Sequence, residues 1–179
     1  MEKAAETAAE DVKDEKKKAD AAWKDATPEI KKEIMDFAEG YMRFLDDAKT
    51  EREAVRTIVS MADAAGFRNI NNAAELKPGD CVYGVNKNKS IYLAVIGKQP
   101  LTQGFNAVGA HIDAPRLDLK QNPLYEDSGL ALLKTHYYGG IKKYQWTTVP
   151  LALHGVVALT DGTVVEVKIG EYENYTLFL

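Results

Sequence analysis

The sequence predicts an α/β fold, in which N-terminal helices open a mixed-sheet domain and a β-rich domain follows. Three observations predict it. Apolar residues recur at helical spacing between Ile30 and Ala62. From Cys81 onward the short apolar runs separated by turn residues read as strands. After residue 115 every pattern is β, with no helical pattern and no internal repeat.

Residues 1–26 are mostly Ala, Lys, Glu and Asp, with one aromatic, Trp23. Such a composition favours helix but offers little apolar surface to dock, so a solvated charged segment is expected. Thr27 is a good N-cap and Pro28 suits the first helical position. Ile30, Ile34, Phe37, Tyr41 and Phe44 then form one apolar stripe. A second helix starts after Thr50, where "TERE" is a capping box: Thr50 can bond the amide of Glu53 and Glu53 can reach back. Val55, Ile58 and Ala62 form its inner face and Gly66 its C-terminal stop. Both helices read as core scaffold.

The strands come next. "CVYGV" and "IYLAVIG", joined by "NKNKS", predict a hairpin over residues 81–96. "FNAVGAHID" is a continuous apolar run of the kind buried on both faces of a sheet, ended by Pro115. "RLDLK" alternates, and "GLALLKTHYY" and "YQWTTVPLALHGVVAL" are rich in β-branched and aromatic residues. "TDGT" marks a hairpin turn before "VVEVKIG".

Bulk properties narrow the function. A length of 179 residues suits one domain, or one and a fraction. With 45% hydrophobic and 28% charged residues the chain can build a packed core. A net charge of −4 argues against nucleic acid as a partner. Cys81 is the single cysteine, which excludes an internal disulfide and a cysteine zinc cluster and fits a cytoplasmic location. No apolar run reaches the length of a membrane span, and "MEKAAETAAEDVKDEKKKAD" lacks the apolar core of a secretory signal.

One stretch carries chemistry. His111 and Asp113 stand two residues apart, so on a strand they share a face. A metal-ligating histidine usually gives its second ring N–H to a carboxylate, which fixes its tautomer and orientation. Sites in open α/β sheets gather at the carboxyl ends of strands, where this pair lies. For a bare His-x-Asp, the plainer explanation of a strand-end histidine bonded for structural reasons stands first.

The surrounding residues change that balance. "AHIDAPRLDLK", "NPLYE", "GLALLKTHYYGGIKKYQW" and "VPLALHG" together resemble the aspartyl aminopeptidase and aminopeptidase I family of dinuclear zinc metallopeptidases. The resemblance runs from about Glu29 through Gly170 and is densest from Gly109 to Gly155. It implies that His111 is a zinc ligand and that Asp113 is the catalytic-site carboxylate orienting it. Ala114 stands where the family often has serine, a side chain that neither role needs. The resemblance further implies a catalytic α/β domain begun by residues 27–120, and a β-rich, dimerisation-type domain begun by residues 121–179, through which homo-oligomers form.

The same resemblance implies two zinc ions per complete site, with cobalt or manganese as substitutes, and peptides as substrates. The family's remaining ligands and its general-base glutamate lie downstream of the matched residues. Two metals are needed to polarise the scissile carbonyl and lower the pKa of a bridging water, and a glutamate to take its proton. His111 supplies neither function alone. The expected reading is therefore the N-terminal portion of a metalloaminopeptidase, inactive by itself. The alternative is a non-catalytic, assembly-only short form of the same architecture.

The other polar residues read more plainly. His136 and His154 are expected to be half-buried strand histidines bonded to neighbours, since a three-histidine zinc site would need all three to converge. Arg116 and Asp118 are expected to form a local ion pair. Gly139 and Gly140 suit a turn, with Lys142 and Lys143 in a solvated loop at its rim.

Overall fold

The computed structural model describes residues 23–171 and 177–178, so the expectation for the charged N-terminal segment lies, through residue 22, outside the described residues. The chain divides into two compact units, Met1–Asp46 and Asp47–Leu179.

In the first unit, α1 (Pro28–Asp47) begins as the sequence predicts, with Thr27 Oγ1 accepting from the Ile30 amide at 3.4 Å. Its exposed side carries an i,i+4 pair, Lys32 with Asp36 at 2.6 Å. The apolar stripe is present but no residue of α1 is buried, and Phe37 is 79% exposed. Helical spacing specifies an apolar face, and this unit by itself supplies no surface that covers it.

The second unit is organised around α2 (Glu51–Ala64). Thr50 Oγ1 accepts from the Glu53 amide at 3.3 Å. The return half of the capping box differs from expectation: the Glu53 carboxylate accepts from the Thr50 hydroxyl at 3.1 Å rather than from its amide. At the far end, Gly66 N–H donates to Asp63 O and Phe67 N–H to Ala62 O, a Schellman closure that Gly66 permits with φ +82°. Ala54, Val55 and Ala62 are buried on the inner face, against the sheet that supplies Val82 and Tyr83 to the core.

That sheet is mixed, in the order β1–β2–β3. β1 (Arg68–Asn69) runs parallel to β2 (Cys81–Asn86), and β2 pairs antiparallel with β3 (Ser90–Val95), from Cys81 opposite Val95 to Asn86 opposite Ser90. Lys87 and Asn88 both take positive φ in the connecting turn, the left-handed geometry that matches strand twist.

After a 3-10 turn at Leu101–Gln103 the structure departs from the sequence reading. Residues 104–115 form no strand, and Phe105 and Val108 are 77% and 102% exposed. The apolar composition of "FNAVGAHID" suits burial, but a strand also needs a neighbour to complete its ladder. No described strand pairs with it.

Two hairpins follow. β4 (Arg116–Asp127) pairs with β5 (Leu130–Tyr138), with an irregularity between Leu119 and Leu124. Their two-residue turn places Ser128 and Gly129 at φ +54° and +77°. β6 (Leu153–Ala158) pairs with β7 (Val164–Ile169) across the "TDGT" turn. Between the hairpins lies a single helical turn, α3 (Lys143–Trp146), where the sequence predicts only strand; "YQWTTVPLALHGVVAL" becomes extended only from Leu153. Nor is that run covered on both faces, since Val157 is 49% exposed in a two-stranded ribbon.

Candidate metal-ligand site

His111 and Asp113 meet without the strand that was expected to align them. The extended segment folds back locally, so that His111 Nδ1 lies 2.8 Å from the backbone oxygen of Asp113 and 3.3 Å from its Oδ1. Both oxygens are acceptors, so a neutral ring that bonds them carries its proton on Nδ1 and its lone pair on Nε2. The His111 side chain is 82% exposed, leaving Nε2 open to solvent. A neutral imidazole with its lone pair outward and its other nitrogen tied down is the form that binds a metal.

Asp113 is held in turn. Tyr138, the last residue of β5, donates its hydroxyl to Asp113 Oδ2 at 2.8 Å. That bond, with a backbone contact and the nearby His111, keeps the Asp113 carboxyl below the usual carboxylate range. The same bond pushes the Tyr138 phenol upward. Tyr138 is held by Arg116, its register partner across β4 and β5, whose guanidinium lies over the ring, 4.1 Å from the centroid. Arg116 also bonds Asp118 at 2.7 Å and Glu51 at 3.0 Å, so the expected local pair extends to the first turn of α2.

Tyr138 is the site residue that sequence reasoning missed. It lies 25 positions from Asp113, and no local spacing connects them. The available signal was the Ser128-Gly129 turn, which pairs the two strands and brings Tyr138 opposite Arg116.

The other histidines stand apart. His136 Nδ1 lies 3.3 Å from Tyr137 O. His154 is nearly enclosed, with Nδ1 3.0 Å from Glu53 Oε1 and Nε2 2.7 Å from Glu171 Oε1. Facing carboxylates on opposite ring nitrogens make it a bridge within the fold. Among the described residues no group of three His, Cys, Asp or Glu side chains is placed to hold a metal ion. His111 thus fits one position of a metal's ligand shell. A cleft of about 350 Å³ opens elsewhere, among Glu51, Arg116, Leu153 and His154.

Comparison with known proteins identifies the family to which the sequence is similar. Residues 44–175 match the family described as aminopeptidase I zinc metalloprotease (M18). A probable M18 family aminopeptidase 1 of Clostridium acetobutylicum is 50% identical over 161 residues, covering 88% of this chain and 35% of the relative. The crystal structure of aminopeptidase I from Borrelia burgdorferi B31 superposes with a TM-score of 0.83 at 41% identity, covering 87% of this chain and 39% of that one. An M18 aminopeptidase structure from Thermotoga maritima gives 0.78 at 44% identity, over 87% of this chain and 34% of that one. The chain spans about a third of the length of the curated relatives it matches. With this match across most of its length, the chain belongs to the aminopeptidase I zinc metalloprotease family.

Proposed function

We propose that this chain is the N-terminal portion of a metal-dependent aminopeptidase that removes N-terminal amino acids from peptides, and that it is inactive alone. The observation that carries the reading is His111, with Nε2 exposed and Nδ1 held by Asp113, within a segment matched to a zinc metalloprotease family. In this reading His111 binds zinc and Asp113 is the catalytic-site carboxylate that keeps its tautomer. Zinc, when bound, polarises the scissile carbonyl and acidifies a water. The residues of this chain hold one coordination position and its orientation. Two zinc ions complete the site, and cobalt or manganese substitutes.

The proposal extends to organisation. Residues 27–120 belong to the catalytic α/β domain, and residues 121–179 begin a β-rich domain that makes homo-oligomers. A cytoplasmic location fits the single cysteine, and no described helix is long and apolar enough to cross a membrane. The second reading, an assembly-only short form, is favoured by the apolar side chains exposed on both hairpins, Leu124 and Val164 among them.

The test is release of N-terminal residues from short peptides with zinc, cobalt or manganese. The 179-residue chain is expected to release none. The same chain completed with the remaining segment of the Clostridium relative is expected to be active, and to lose at least 100-fold on His111→Ala. Turnover by the 179-residue chain that disappears in His111→Ala overturns the claim of inactivity. A completed chain that stays active without His111 overturns the ligand assignment.

A further inference from the structure

We propose that Tyr138 is a positioning residue for the His111–Asp113 pair, acting through Asp113 rather than on substrate. This rests on the reading of His111 as a metal ligand. Residues 105–115 have no regular structure, and among the described residues one hydrogen bond ties them to a distant element: Tyr138 Oη to Asp113 Oδ2. The remaining bonds of the segment are local, within it or from Arg116 to Ala114 O. Without Tyr138, both oxygens that accept from His111 Nδ1 sit on a residue with no hydrogen bond to a distant element.

The anchor is itself held by three features. Tyr138 is paired to Arg116 in the β4–β5 ladder. Its ring lies under the Arg116 guanidinium, which Asp118 and Glu51 fix in turn. Beyond Tyr138 the chain reverses at Gly139, whose φ of +71° and approach to Pro115 bring this corner against the segment's end. A strand with a fixed register thus sets the position of an irregular loop, and the loop sets the imidazole. Tyr138 donates to Oδ2 and leaves Oδ1 to face His111, so one carboxylate serves both partners.

The experiment compares imidazole 15N spectra of the metal-free 179-residue chain with those of Tyr138→Phe, at one pH. Phenylalanine keeps the ring beneath Arg116 and removes only the hydroxyl. In the parent chain His111 is expected to be a single tautomer protonated at Nδ1. In Tyr138→Phe its two nitrogen signals are expected to converge as the tautomers mix, while His136 and His154 do not move. Asp113→Asn serves as a second variant should Tyr138→Phe fail to fold. It is expected to mix the His111 tautomers likewise, and Tyr138→Phe added to it to change nothing more. An unchanged His111 tautomer in both single variants, or additive effects in the pair, overturns the proposal. Zinc added to the parent chain separates the two layers. If His111 Nε2 ignores zinc while the tautomer responds to Tyr138→Phe, the ligand reading falls and the positioning role stands.

Discussion

His154 lies 3.0 Å from the Oε1 of Glu53 across 101 positions of sequence, joining the first turn of α2 to β6. Glu53 is the buried charged residue of the described core, and its Oε1 also meets Lys168 of β7 at 3.1 Å. Removing one partner of such a group leaves the others desolvated and unpaired. Glu53→Ala is expected to lower stability by about 2 kcal/mol, below the 3–5 kcal/mol typical of enclosed pairs because Lys168 is half exposed. Urea denaturation measures this, and a loss under about 0.5 kcal/mol, the surface range, refutes it.

The same residue sets an acid-side pH dependence. Burial favours the neutral form of Glu53, but hydrogen bonds from His154, Lys168 and Thr50 outweigh it and hold the carboxyl below its ordinary value of 4.5. A carboxyl depressed in the folded state stabilises fully above its unfolded pKa and loses that contribution as pH falls through the folded value. Stability is therefore expected to decline below pH 4.5, and to decline less steeply in Glu53→Gln. Parallel acid-side slopes for parent and variant contradict the assignment.

How much of this was legible follows the range of each interaction. The caps at Thr27, Thr50 and Gly66, and the β2–β3 and β6–β7 hairpins, depend on residues a few positions apart, and the sequence shows them. Glu53 was visible only as a capping-box residue, because its partners His154 and Lys168 lie more than a hundred positions on. The run at Phe105–Asp113 has the composition of a strand and forms none, because apolar composition reports a tendency to burial, whereas a strand is a relation between two segments. His111 and Asp113 were found by spacing, yet the contact is made by a loop that brings a backbone oxygen closer than the carboxylate.

The helix caps give local tests. Thr50→Ala deletes the acceptor for the Glu53 amide and the donor to its carboxylate. A loss of about 1 kcal/mol is expected. Gly66→Ala forces a Cβ onto φ +82° in open space, so the cost is conformational, about 1–2 kcal/mol. Thermal unfolding followed by circular dichroism checks both. Equal stability of Gly66→Ala and the parent shows that the closure of α2 does not constrain the fold.

His111 is expected to contribute to function and almost nothing to folding. Its side chain is 82% exposed and its bonds go to a neighbour two residues away. His111→Ala is expected to change unfolding free energy by less than about 0.5 kcal/mol. A larger loss makes His111 a structural residue and weakens the case for it as a ligand.

Association is expected through the two hairpins. Each is a two-stranded ribbon, a form only marginally stable alone in water. Leu124 and Leu133 are opposed across β4 and β5, so they share a face, and they are 71% and 37% exposed. Unpaired strand edges beside such a face template contact with another chain. The 179-residue chain is thus expected to show, by light scattering coupled to size exclusion, a mass above 19.8 kDa that rises with concentration. Leu124→Lys combined with Leu133→Glu replaces the apolar pair by a complementary charged pair in the same register, so it is expected to shift the mass toward the monomer while preserving the hairpin. A sharp monomer peak from the parent chain at all concentrations would mean that the ribbons need no partner and that the exposed leucines are merely surface.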